Sequence, residues 1–340
     1  MLHSDVDRAR EIVEMARAAE QQEQTSKALA LYDDALNQFA SDSAEPLVAD
    51  VLRWKGTILR ERGETDAAYR CYAQSMAKAA LAESPARQAH ALNCLGTIAQ
   101  RRGDPKETER LYGKASKLAE ESGETRLLGM IEQNRGVLAN TRGDFDGAAA
   151  FYSKSLDAFE KTGDLEPMSW VLNNLGILHT KIQNFAEART YLERGLAIAT
   201  NRHDSVVENV ITLNLAEVWV GLGRLDVADD LCVNALEQAQ RRADHLTAAG
   251  ALKVRAAIER QRGALDKSIA TLRIAIFEAE GAEDRLLHAE MLRELGEISR
   301  SLGNAGAARS VLREAVDAFE FLGAAQEVAE IKAELDSLSD

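Results

Sequence analysis

The sequence predicts an all-α fold, a linear stack of eight helical hairpins closed by one further helix. Three observations carry that prediction. Small and aromatic residues recur with a strict period of 40. The composition favours helix, with alanine, leucine, glutamate and arginine dominant and only 4 prolines. Turn-forming residues return at fixed places between the apolar runs.

The period shows in five columns. Stepping by 40 gives Ala16, Gly56, Gly96, Gly136, Gly176, Ala216, Ala256 and Gly296. A second column holds Gly63, Gly103, Gly143, Gln183, Gly223, Gly263 and Gly303, with Glu23 in the first unit. A third reads Ala28, Ala68, Thr108, Ala148, Ala188, Ala228, Ser268 and Ala308. A fourth reads Tyr32, Tyr72, Tyr112, Tyr152, Leu192, Cys232, Leu272 and Leu312. The fifth reads Ala35, Ser75, Ala115, Ser155, Gly195, Ala235, Ala275 and Ala315. No insertion breaks the register.

Each column has a physical role. The Gly/Ala column lets a neighbouring helix approach the first helix closely. The second column ends that helix, where a left-handed residue is cheap for glycine. Asp104-Pro105 then restarts a helix, Asp as cap and Pro at the first helical position. Ser84-Pro85 does the same for the first helix of the next unit. The units are expected at about 5–42, 46–82, 85–122, 125–162, 166–202, 205–242, 245–282 and 285–322, and the whole chain, 1–340, is read as one solenoid. In the last segment Val328, Ile331, Leu335 and Leu338 form one apolar stripe, which predicts a capping helix over 324–338. With the first unit starting near residue 5, no DNA-binding or catalytic domain is expected ahead of it.

The formal net charge of −14 argues against nucleic acid or an anionic membrane as the main partner. No apolar run reaches the length of a membrane span, and the start lacks the apolar core of a signal peptide. Cys71, Cys94 and Cys232 are odd in number and far apart, which points to a reducing, cytoplasmic setting.

The small–aromatic–small spacing resembles the tetratricopeptide repeat (TPR) family. RGDFDGAAAFYSKSL (142–156) and LGRLDVADDLCVNAL (222–236) carry the likeness best. The repeat is longer than the usual ~34 residues and mostly lacks the closing proline. This long form is similar to repeats of bacterial signalling regulators, spindle-orientation adaptors and kinesin light chains. HEAT-type repeats share the length but not the spacing. The resemblance implies a right-handed superhelical solenoid with the first helices lining a concave groove. It also implies that groove asparagines hold the main chain of a bound peptide.

VLNNLGILHTK (171–181) places Asn173 and Asn174 mid-helix, an unfavourable position for asparagine. A helical wheel puts Val171, Leu172, Leu175, Gly176, Leu178, His179 and Ile182 on the buried side. Trp170, Asn173, Asn174, Ile177, Thr180 and Lys181 then face the groove. Asn134, Asn174 and Asn214 form a ladder at the repeat spacing, with Asn93, Gln133 and Asn173 beside it. An asparagine amide offers donors and an acceptor, matching the N–H and C=O of an extended peptide. The alternative is that these amides bond neighbouring repeats to one another. Met130, Trp170 and Leu213 are expected to contact side chains. Arg53, Arg60, Arg101 and Lys181 are expected to select acidic ones. Lys253, Arg260, Arg293 and Arg300 line the C-terminal end, and the groove positions carry a net charge of roughly +2. Trp219 falls on the buried side.

No phosphate loop and no nucleophile with its base is present. His90 and Cys94, one turn apart, are too few for a metal site. Neither catalysis, metal nor cofactor is therefore expected. The chain reads as a non-enzymatic adaptor that binds a protein or peptide segment in its groove. Two alternatives stand beside it: a bacterial regulator sensing a short peptide, and a self-associating scaffold.

Overall fold

Helix starts and stops follow from local chemistry. Pro46, Pro85 and Pro105 open three helices at a position where a missing N–H costs nothing. Asp104, Asp144, Asp204, Asp244, Asp284 and Asn304 each accept a hydrogen bond from the backbone N–H three residues on, which caps the helix that follows. The computed structural model describes residues 2–39, 45–282 and 284–338, and side chains from residue 6. Seventeen helices and no strand lie among them.

The chain divides into two compact units, one up to Glu132 and one from Gln133. Unit 1 contains α1 (Leu2–Gln21), α2 (Thr25–Leu36), α3 (Pro46–Glu61), α4 (Thr65–Leu81), α5 (Pro85–Arg101) and α6 (Pro105–Glu121). The division falls within α7 (Thr125–Thr141). Unit 2 continues with α8 (Phe145–Thr162), α9 (Leu165–Lys181), α10 (Phe185–Asn201), α11 (Ser205–Gly221), α12 (Leu225–Arg242), α13 (His245–Gln261), α14 (Leu265–Gly281), α15 (Arg285–Ser301), α16 (Ala305–Leu322) and α17 (Ala325–Ser337). Up to α16, odd-numbered helices are the first of each hairpin and even-numbered ones the second. Ile331 of α17 is fully buried and packs with Val328 and Leu335 beside α16, which closes the apolar end.

The Gly/Ala and aromatic columns are two halves of one contact. A methyl group on Gly56, Gly96 or Gly136 would lie 2.7, 2.5 and 2.5 Å from ring carbons of Tyr72, Tyr112 and Tyr152. On Gly176 or Gly296 it would lie 2.4 and 2.5 Å from Leu192 and Leu312. The fifth column is small because it meets backbone. The Ser75 hydroxyl donates to the Ala49 carbonyl at 2.7 Å.

Among the described residues the turns use left-handed residues in two columns of the repeat. Gly63, Gly103 and Gly143 have φ of 78, 68 and 77°. Glu23 and Gln183 adopt φ of 58 and 60° in the same column. A second left-handed column, missed in the sequence, joins successive hairpins through Glu83, Gly123, Gly163, His203, Ala243 and Gly323. A non-glycine residue there carries a steric cost of about 1 kcal/mol. Gln183→Gly is therefore expected to stabilise unit 2 by about 1 kcal/mol, raising its thermal midpoint by about 2 to 4 °C. A lowered midpoint would contradict this reading.

Candidate functional site

Within each unit first helices pack against their own second helices and against neighbouring first helices, as α3 does against α4 and α5 and α11 against α12, α9 and α13. In unit 1 the first-helix face is basic. The Arg53 and Arg60 side chains are 19% and 25% exposed. Asp50 is shared between Arg87 Nε at 2.8 Å and Arg53 at 3.7 Å, while Arg60 lies 3.5 Å from Glu61. The buried Nε atoms of Arg53 and Arg60 find no acceptor among the described residues. Trp54 stacks on Tyr32 and lies under the Arg17 and Arg53 guanidiniums, 4.8 and 5.5 Å away. Burial, reinforced by Arg53, pushes His90 down to about 4, so its imidazole is neutral at pH 7. Burial pushes the Cys94 thiol up.

In unit 2 the first-helix face is dense with ion pairs. Lys253 of α13 reaches Glu290 of α15 at 2.8 Å and Glu217 of α11 at 3.3 Å. Lys181 of α9 lies 3.5 Å from the other oxygen of Glu290. Burial alone would raise Glu290, but the two lysines outweigh it and hold the carboxyl near 2. Glu294 is pushed up, chiefly by burial. Arg260 pairs with Glu294 and Glu297, and Arg293 with Glu297, Glu330 and Glu334. A cavity of about 300 Å³ lies beneath, with Phe185, Val220 and Val254 in its wall. Of the cations expected to make this end basic, Lys253, Arg260 and Arg293 are matched by carboxylates.

The expected binding residues divide accordingly. Asn174 is half-buried, and among the described residues none hydrogen-bonds its amide. Asn214 donates to Asn173 Oδ1 at 2.7 Å, which bonds one repeat to the next. Asn93, Asn173 and Leu213, expected on the open side, are only 7%, 3% and 6% exposed and serve packing. The wheel divides a helix into two sides, but these first helices are covered on three. Asn134 is half-buried and engaged within the chain. Gln133 and Trp170 are half-buried, Trp170 against the core around Leu192. Met130 lies 3.8 Å from the Arg126 guanidinium. Arg101 is exposed, whereas Lys181 is taken by Glu290. Trp219, expected in the core, is half-buried with Arg189 over its ring at 5.7 Å. Ile182, also expected inside, is 46% exposed because α9 has ended.

Glu217, Glu290 and Glu294 were missed as a cluster. A signal existed: Glu294 stands in the Asn134/Asn174/Asn214 column, and Glu290 in that of Trp170. Their meeting with Lys181 depends on curvature, which spacing does not reveal.

No helix among the described residues is long and apolar enough to cross a membrane. Comparison with curated proteins finds no match. Among solved structures, the apo form of RapI is similar at a TM-score of 0.65 and 16% identity, covering 81% of this chain and 99% of that one. A Rap protein complexed with competence and sporulation factor gives 0.62 at 12% identity over 98% of both chains. NprR in complex with its cognate peptide NprX gives 0.62 at 12% identity, over 82% of this chain and 81% of that one. At these identities the likeness establishes the fold. Two family models described as tetratricopeptide repeat match residues 87–161 and 128–201, and 13–70. Together they span just over half of the sequence, and they agree with the helical hairpins and the small–aromatic contact. The chain belongs to the tetratricopeptide repeat family.

Proposed function

We propose that this protein is a non-enzymatic adaptor that holds a segment of another protein on its first-helix faces. One observation carries the reading: hydrogen-bonding groups on those faces are left without partners. They are the Arg53 and Arg60 Nε groups in unit 1; in unit 2 the half-buried Asn174 amide offers a further donor and acceptor. A buried donor without an acceptor is costly, and a bound carboxylate or peptide carbonyl removes that cost. Arg53, Arg60 and exposed Arg101 favour acidic side chains, and Trp54 and Trp170 offer aromatic contact. Gln133, Asn134 and Asn214 assist where their own bonds leave capacity. The three unpaired cysteines support a reducing compartment.

The test is capture from a lysate of the source organism, read by mass spectrometry. The baits are the wild type and an Arg53→Ala/Arg60→Ala/Asn174→Ala variant with matched helicity. A protein retained by the first and lost by the second is the expected result. Equal retention moves the site off these faces.

A second reading, a sensor of short peptides, is favoured by the ion pairs that join distant hairpins of unit 2. The likeness to NprR and Rap, both solved with bound ligands, supports it as analogy.

A further inference from the structure

Lys181 and Glu290 belong to hairpins with two others between them, yet their charged groups lie 3.5 Å apart. The repeat does not demand this pair. Positions equivalent to Lys181 hold Gln21, Glu61, Arg101, Thr141, Gly221, Gln261 and Ser301. Those equivalent to Glu290 hold Arg10, Asp50, His90, Met130, Trp170, Val210 and Gly250. One carboxylate thus ties α9 to α15, and through Lys253 it also engages α13 and, indirectly, α11. A second contact closes the same unit. Gln326 of α17 lies against the α7–α8 turn, so that a side chain at Gly143 would meet its Oε1 at 2.0 Å.

The pairs are built to hold and to release. Lys181 and Glu290 keep 26% and 24% of their side-chain surface. Water and salt reach them, so the attraction is moderate rather than that of a sealed pair. Burying a carboxylate between two ammonium groups over a partly apolar cavity is a poor way to add stability. It does fix one curvature of the unit out of several that stacked hairpins permit.

We propose that Glu290, held between Lys181 and Lys253, is a latch that keeps the first-helix face of unit 2 closed over this cavity. An acidic side chain of an incoming segment opens it by taking the lysines from Glu290. The second statement rests on the binding role proposed above, and the latch itself does not.

The experiment measures a distance within unit 2 of the full chain. Spin labels are attached through p-acetylphenylalanine at exposed Glu193 of α10 and Arg313 of α16, leaving the native cysteines in place. The wild type is expected to give one narrow distribution by double electron–electron resonance. Lys181→Met and Glu290→Gln should each shift it to longer, broader distances, and Lys181→Arg should not. Raising salt to ~1 M, where the Debye length falls to about 3 Å, should act on the wild type in the same direction. Distributions identical to wild type in both neutralised variants overturn the latch. If one variant misfolds, the other and the salt series decide. The probes for opening are the acetylated peptides (Glu-Ala)4 and (Lys-Ala)4. Lengthening by the acidic one alone is expected. A latch that opens on mutation but ignores the acidic peptide overturns the second statement only.

Discussion

Tyr112→Ala will destabilise unit 1 by roughly 4 kcal/mol in urea denaturation. The ring is fully buried and fills the hollow left by the missing side chain of Gly96. Its hydroxyl donates to Gln100 Oε1 at 3.0 Å and lies 3.4 Å from the Thr97 hydroxyl. It shares one buried cluster with Leu95, Ile98, Leu111, Ala115 and Leu127, drawn from three successive helices. Removing an aromatic side chain from such a site leaves a cavity that stacked helices close poorly, which typically costs 3 to 5 kcal/mol. Tyr112→Phe keeps the ring and loses only the hydroxyl bond, for about 1 kcal/mol. That pair of values separates packing from hydrogen bonding. A loss under about 1 kcal/mol in Tyr112→Ala would mean that the aromatic column does not organise the hairpin.

Lowering the pH from about 6.5 to about 4 will cost unit 1 up to about 3 kcal/mol through His90 alone. In the folded chain His90 is neutral down to about 4, because it is buried and Arg53, Arg87 and Arg126 stand around it, with Asp50 opposing them. In the unfolded chain it takes a proton near 6.5. Between those values the unfolded state binds the extra proton. The contribution is therefore complete above about pH 6.5 and is lost as pH falls toward 4. His90→Asn should flatten the stability profile across that window. Identical profiles for the variant and the wild type would contradict the placement of His90 among those arginines.

The hairpins were legible in the sequence because their determinants are local or lie one helix away. Gly96 and Tyr112 are 16 residues apart and touch, so the columns at period 40 report a real contact. Asp104-Pro105 opens α6 where its chemistry requires. The inter-hairpin turns fell where the unit bounds put them, but their left-handed column went unread because Glu83, His203 and Ala243 adopt positive φ without glycine to mark it. The face-lining positions were legible only in part. A helical wheel put Asn174 on the outward side, and it is half-buried. The wheel also placed Asn173 and Leu213 there, although neighbouring first helices cover both. The charge of the unit 2 face was misread for a different reason. Lys181 and Lys253 are neutralised by Glu290 and Glu217, and partners that far apart in sequence depend on how tightly the hairpins curve.

The central claim is that a protein segment lies on the first-helix faces. Site-specific photo-crosslinking tests it most directly. Benzoylphenylalanine is placed at Asn174 on the first-helix face, and, in a separate protein, at exposed Arg194 on α10. Each is irradiated in lysate, and crosslinked peptides are read by mass spectrometry. The account predicts that Asn174 yields one recurrent segment of one protein, bearing acidic residues, and that Arg194 does not. The same segment captured from Arg194 and not from Asn174 would place the binding surface on the second helices and contradict the account.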